Sequence, residues 1–144
     1  MIANFEPQWA QPDETQTRLT MPRLGRLRSA AQYPMAELLR SGAHVSFGSD
    51  WPVTTMNPVE GLAVAVSTGW LPEHHLTVPQ ALDIMSDGMA YQARAEDTRG
   101  RIVPGAVADL VRLSADPAQV PVGELGRIEV LETWLAGRPT YRRG

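Results

Sequence analysis

The residue best suited to chemistry in this chain is Asp50, the carboxylate that ends Val45-Ser46-Phe47-Gly48-Ser49-Asp50. The stretch from His44 to Asp50 reads as a short buried strand. Val45 and Phe47 face one way at the two-residue period of a strand, while Ser46, Gly48 and Asp50 face the other. Pro52 has no N–H and pushes Trp51 out of the helical region, so the strand opens into a loop there. A carboxylate at such a strand end, with Gly48 leaving space beside it, suits a metal ion or a substrate proton. Asp is also a common turn residue, and capping a turn is the alternative account of it.

The histidines add little. His44 stands six residues before Asp50, which is ~20 Å along a strand, so the two cannot share an ion. His74 and His75 are adjacent in a proline-bounded loop and lack the i, i+4 spacing that puts two rings on one helix face. No HxH, HExxH or other zinc spacing occurs, and neither does a phosphate-binding glycine loop or a G-x-S-x-G turn. The residues alone support one carboxylate at a strand end and no complete active site.

The elements that must position Asp50 follow from the punctuation of the chain. Residues 2–9 read as a strand that ends near Glu6, because Pro7 breaks a central ladder. A strand starting almost at the first residue is unusual and suggests truncation. Residues 11–28 contain Pro12, Pro22 and four arginines and read as a long loop with room for one helical turn. Residues 33–41 form a short helix with Pro34 in its first turn, Gly42 as its stop, and Met35, Leu38 and Leu39 as its apolar stripe. Strand, helix, strand in this order makes a βαβ unit with parallel strands.

Further along, a helix runs from Val59 to Ser67 behind Pro58, ended by Gly69 and Pro72. Thr77-Val78-Pro79-Gln80 is a capping box that opens a helix reaching about Ala95. Gly88 is a weak point inside it, costing ~1 kcal/mol relative to alanine. After a composition shift at residues 96–100 the period changes. Residues 102–105 and 107–113 read as strands, 117–126 as a loop, and 128–135 as a strand that turns at Gly137-Arg138-Pro139 into Thr140-Tyr141.

Composition bounds the class. The chain has 144 residues, 43% hydrophobic and 20% charged, as in a globular domain with a real core. Its net charge of -3 gives no reason to expect nucleic acid or an anionic membrane as partner. There is no cysteine, hence no disulfide or thiolate site. No signal peptide or membrane-length apolar run is present, and a cytoplasmic protein is expected.

Four segments together resemble the amidohydrolase superfamily, in the branch of N-substituted formamide deformylases. Ala3-Asn4-Phe5-Glu6-Pro7-Gln8-Trp9 is similar to the family's seventh barrel strand. Arg28, with Tyr33-Pro34 and Leu38-Leu39-x-x-Gly42, is similar to the helix before the last strand. Gly48-Ser49-Asp50-Trp51-Pro52-Val53 is similar to that last strand and its loop. Gly100-x-Ile102-x-Pro104-Gly105-x-x-Ala108-Asp109-Leu110-Val111-x-Leu113, followed by Thr133-Trp134-x-x-Gly137-Arg138, is similar to the C-terminal β segment.

The resemblance implies an α/β chain that is the C-terminal fragment of a (β/α)8 TIM barrel, its last two strands and their helices, followed by a small β-sandwich segment. Residues 1–97 would belong to the barrel and 98–144 to the β domain. The implied function is metal-dependent hydrolysis of non-peptide, amide-type C–N bonds by activated water. Asp50 would be both catalytic residue and metal ligand, taking a proton from the water and passing it to the leaving amine. Trp51, Trp9 and Arg28 would bind a small-molecule amide-type substrate. A divalent metal, zinc first, is implied for the complete enzyme, with none bound tightly by this chain alone. The other ligands are expected on a missing N-terminal barrel portion, in the same or a separate chain. Two barrel strands alone leave open edges, so homo-oligomer formation is expected. The rival reading is a non-catalytic remnant acting as an assembly module. Glu6 and Ser86-Asp87-Gly88 fit neither account.

Overall fold

The computed structural model describes residues 1–67 and 74–144. The expected helix stop at Gly69 and Pro72 lies outside the described residues. Two sheets organise the rest. β1 (Ile2–Phe5) and β2 (His44–Phe47) pair in parallel, with Ile2 opposite His44 and Phe5 opposite Phe47. β3 (Leu110–Leu113), β4 (Val130–Leu135) and β5 (Arg138–Arg142) form an antiparallel sheet with β4 in the middle.

The connection from β1 to β2 is more helical than its prolines suggest. A 3-10 turn at Pro7–Ala10 and a π turn at Gln16–Thr20 lead into α1 (Met21–Ala30), which corrects the expectation of a loop over residues 11–28. Pro22 falls directly after the π turn, in a helical run that is already continuous from residue 14. Gly25, at φ 73°, kinks the helix behind it. Arginines satisfy local needs here: Arg18 pairs with Glu14 at 2.7 Å, and Arg23 donates to the Leu19 carbonyl at 2.8 Å. α2 (Met35–Arg40) follows, with Met35 and Ala36 buried.

α3 (Pro58–Ser67) buries Val59, Leu62, Val64, Ala65 and Val66. α4 (Val78–Asp83) opens on the expected capping box, Gln80 N–H to Thr77 Oγ1 at 3.3 Å and Thr77 N–H to Gln80 Oε1 at 2.9 Å. The helix then widens into a π turn at Ile84–Gly88 and ends as α5 (Met89–Gln92), short of Ala95. Gly88 is here for close approach: a Cβ on it would lie 2.3 Å from the Val45 carbonyl oxygen. Gly48 N–H donates to Phe5 O at 2.8 Å, so by alternation the Val45 carbonyl points to the other edge of β2. The π turn therefore closes that edge. His44 stacks on Tyr91 with ring centroids 3.8 Å apart.

Two strand expectations are corrected. β2 stops at Phe47, and Asp50, three residues beyond it, takes a left-handed conformation (φ 55°) that no strand accommodates. Residues 102–105 form a turn, Ala106 N–H to Val103 O at 3.1 Å. They find no partner strand, and Ile102 is left 88% exposed. Asp109 locks the sheet instead. Its Oδ1 accepts from Ala136 N–H at 2.7 Å, its Oδ2 from Arg99 Nε at 2.7 Å, and Gly137 N–H donates to Ala108 O at 2.8 Å. Residues 122–127 form a 3-10 segment whose Leu125 is fully buried.

One hydrophobic cluster draws on both sides of the expected boundary at 97/98. Leu125 and Ile128 join Met35, Val45, Leu62 and Ala65 in it, and Leu113 and Val130 pack against it. No described helix is long and apolar enough to cross a membrane.

Candidate functional site

β1 and β2 both deliver their C-terminal ends to one region, where the segments 6–8 and 48–58 meet. Asp50 heads a tight turn there. Its carbonyl accepts from Val53 N–H at 2.8 Å and Thr54 N–H at 3.3 Å. Ser49 braces the turn: its hydroxyl accepts from Trp51 N–H at 3.3 Å, and its carbonyl accepts from the Thr54 hydroxyl. The Trp51–Pro52 bond is cis. Asp50 is exposed, and its carboxylate enters no hydrogen bond or ion pair among the described residues. The carboxylate is thus left unpartnered just past β2, on a residue whose left-handed backbone (φ 55°) takes it out of strand alternation.

The space beside Gly48 is not vacant. A Cβ there would lie 3.5 Å from Asn4 Oδ1 and 3.7 Å from Glu6 Cγ, so Glu6 covers the glycine. Behind it, the Ser46 hydroxyl is fully buried; it donates to Gln92 Oε1 and accepts from Asn4 Nδ2 at 3.1 Å. Glu6 also acts on Tyr33. Burial raises the Tyr33 pKa, and the Glu6 and Asp13 carboxylates raise it further.

A cavity of about 170 Å³ opens at these strand ends. Pro7, Gln8, Phe47, Met56, Met85 and Met89 line most of it, with Gly48, Ser49 and Gly61. Asp50 lies in the chain between Ser49 and Thr55, both on its wall.

The residues selected from sequence are not gathered into one pocket. Trp51 is adjacent to Asp50 and 60% exposed. Trp9 is half-buried in the 3-10 turn, its N–H donating to Glu6 O at 3.0 Å. Arg28 is exposed on α1, where its Nε donates to Leu24 O at 2.9 Å. None of the four lines the cavity. His74 is buried, its Nδ1 3.2 Å from the Gln32 carbonyl. Sequence reading missed Gln8, Met56, Met85 and Met89. Gln8 follows β1 and Met56 follows β2 closely in sequence, while nothing local marks Met85 and Met89 as their neighbours.

No group of three or more His, Asp or Glu that could hold a metal ion occurs among the described residues. One unpartnered carboxylate does not make a metal site, and these residues do not fit one by themselves.

Comparison with known proteins gives the family. The amidohydrolase family model matches residues 2–141, and the chain belongs to that family. N-substituted formamide deformylase of Arthrobacter pascens is 30% identical over 117 residues, 77% of this chain and 22% of the deformylase. The chain therefore spans about a fifth of that relative's length. Among solved structures, an amidohydrolase of Thermotoga maritima MSB8 superposes with a TM-score of 0.59 at 24% identity, over 76% of this chain and 26% of that one. An adenosine deaminase of Xanthomonas campestris with bound zinc gives 0.59 at 23%, over 74% and 27%. At these identities the likeness shows the fold: mixed α/β, matching part of TIM-barrel amidohydrolases.

Proposed function

We propose that this chain is the C-terminal portion of an enzyme that hydrolyses non-peptide, amide-type C–N bonds of small molecules. The observation that carries the reading is Asp50, an exposed and unpartnered carboxylate at the end of β2, in a chain matched by the amidohydrolase family over residues 2–141. In the reaction, the oxygen of a water attacks the amide carbon while its proton goes to an Asp50 carboxylate oxygen. The C–N bond then breaks, and Asp50 returns the proton to the leaving nitrogen. General-base help of this kind contributes ~10²–10⁴-fold.

The proposal divides the chain into a barrel part (1–97) and a β part (98–144), as the last two barrel strands with their helices and a segment of a small β-sandwich. Trp51, Trp9 and Arg28 would meet substrate only in the complete protein, where other segments bring the strand ends together. A divalent metal, zinc first, belongs to that complete enzyme. The zinc in the Xanthomonas deaminase supports it. Its remaining ligands would come from outside these 144 residues.

The test is hydrolysis in water enriched in 18O. The enzyme completed by its N-terminal portion should release amine and carry one labelled oxygen into the acyl product. The isolated chain should do neither and should retain no stoichiometric zinc after dialysis against a chelator. Unlabelled acyl product from the complete enzyme, or tightly held zinc in the isolated chain, would contradict the proposal.

A further inference from the structure

α3 carries a glycine that packing does not require. Gly61 lies inside the helix, and a Cβ built on it would meet nothing within 4 Å. A helix-interior glycine is less stable than alanine, so the empty space has a cost with no structural return. Gly88 and Gly100 differ, since a Cβ there would collide at 2.3 and 2.8 Å. Gly61 instead lines the 170 Å³ cavity at the strand ends. Apolar cavities of ~150 Å³ take up benzene, so the volume suits one ring.

The wall chemistry says what the ring should carry. Phe47 and Met85 form apolar sides, while Met56 and Met89, 63% and 46% exposed, leave polarisable thioethers at the mouth. Ser49, Thr55 and Asn57 also line the cavity but are engaged in hydrogen bonds of the 49–60 segment, which leaves Gln8 as the polar requirement. Its Oε1 accepts from Gln11 Nε2 at 2.6 Å, but its Nε2 is buried without a hydrogen-bond partner. A buried donor left unpaired is costly, and an acceptor entering with the ligand would relieve it.

The geometry points to a binding site for a single aromatic ring bearing an amide, whose carbonyl oxygen accepts from Gln8 Nε2. As the place where a substrate's substituent sits, it rests on the C–N hydrolase reading; as a binding site it does not.

The experiment is a titration of the 144-residue chain, labelled with 13C at its methionine methyls, with benzamide, acetamide and toluene. Benzamide should shift the Met56, Met85 and Met89 signals saturably and leave Met1 and Met21 in place. Acetamide should shift none at the same concentration. Gln8→Ala should weaken benzamide roughly three- to tenfold, the worth of one net hydrogen bond, and leave toluene unchanged. Gly61→Leu, whose side chain enters the cavity, should abolish binding of both rings without lowering the unfolding midpoint.

Methionine signals that all stay still, or all move together, would overturn the site. So would undiminished binding by a folded Gly61→Leu chain. Equal loss of toluene and benzamide in Gln8→Ala would remove the amide from the proposal. Binding is read without turnover, which separates the two claims. A chain that binds benzamide, but whose complete enzyme hydrolyses no amide, sinks the hydrolase reading alone. Hydrolysis without binding sinks the cavity alone.

Discussion

Single residues in this chain owe their roles to backbone geometry as much as to side-chain chemistry. Asp50 is presented by its own left-handed turn (φ 55°), a conformation Asp tolerates better than most residues. Ser49 braces that turn through its hydroxyl and its carbonyl. The two ends of Asp50 do different things: its carbonyl closes the turn, and its carboxylate enters no hydrogen bond or ion pair among the described residues. Two helix glycines make a sharper test of residue-scale packing. Gly88→Ala should destabilise the chain by about 1–3 kcal/mol, because a methyl must displace the Val45 carbonyl. Gly61→Ala should stabilise it by about 0.5–1 kcal/mol. Chemical denaturation of the two variants checks both signs, and a Gly88→Ala chain as stable as the parent would contradict the close approach of the π turn to β2.

At the scale of elements, the signals that were legible are local ones. The Thr77–Gln80 capping box needs only four residues and appears as read. The parallel pairing of β1 and β2 was legible too, since a helix separates them. What was illegible depends on partners distant in sequence. Residues 102–105 have strand composition but no neighbouring strand to bond with, so they turn. Residues 11–28 have breakers, yet the helix runs through Pro22, with a π turn directly before it. Asp109 shows how a motif residue can be wholly structural, tying the β4–β5 turn to the start of β3. The Ala136 N–H, and then Arg99, hold its pKa below the usual carboxylate value. Its stabilising contribution is therefore complete above the unfolded-state pKa of about 4. It is lost as pH falls through the lower folded value. Hydrogen exchange at Ala136 and Gly137 should accelerate over that acid window, and in Asp109→Asn the acceleration at low pH should be smaller. Exchange that ignores pH there would contradict the clamp.

For the whole molecule, the family was legible because its motifs are contiguous runs, and the cavity was not because its wall is assembled from four separate segments. Residues 7–8, 47–49, 55–61 and 85–89 come together only after β1, β2, α3 and the π turn have packed. The same packing modifies the expectation of open strand edges. The edge of β2 that faces away from β1 is closed at Val45 by the π turn, and Ser46 lies under Gln92. Assembly with further barrel strands at that edge would require residues 84–92 to move.

The central claim is that Asp50 carries the proton in C–N hydrolysis, and substitution in the complete enzyme tests it most directly. Asp50→Asn preserves size and the turn-forming backbone but cannot accept a proton near neutral pH. The account predicts kcat lower by ~10²–10⁴, with thermal stability unchanged because the Asp50 carbonyl, and not its carboxylate, takes part in the turn. An Asp50→Asn enzyme that turns over within a few-fold of the parent would contradict it and leave Asp50 a turn residue.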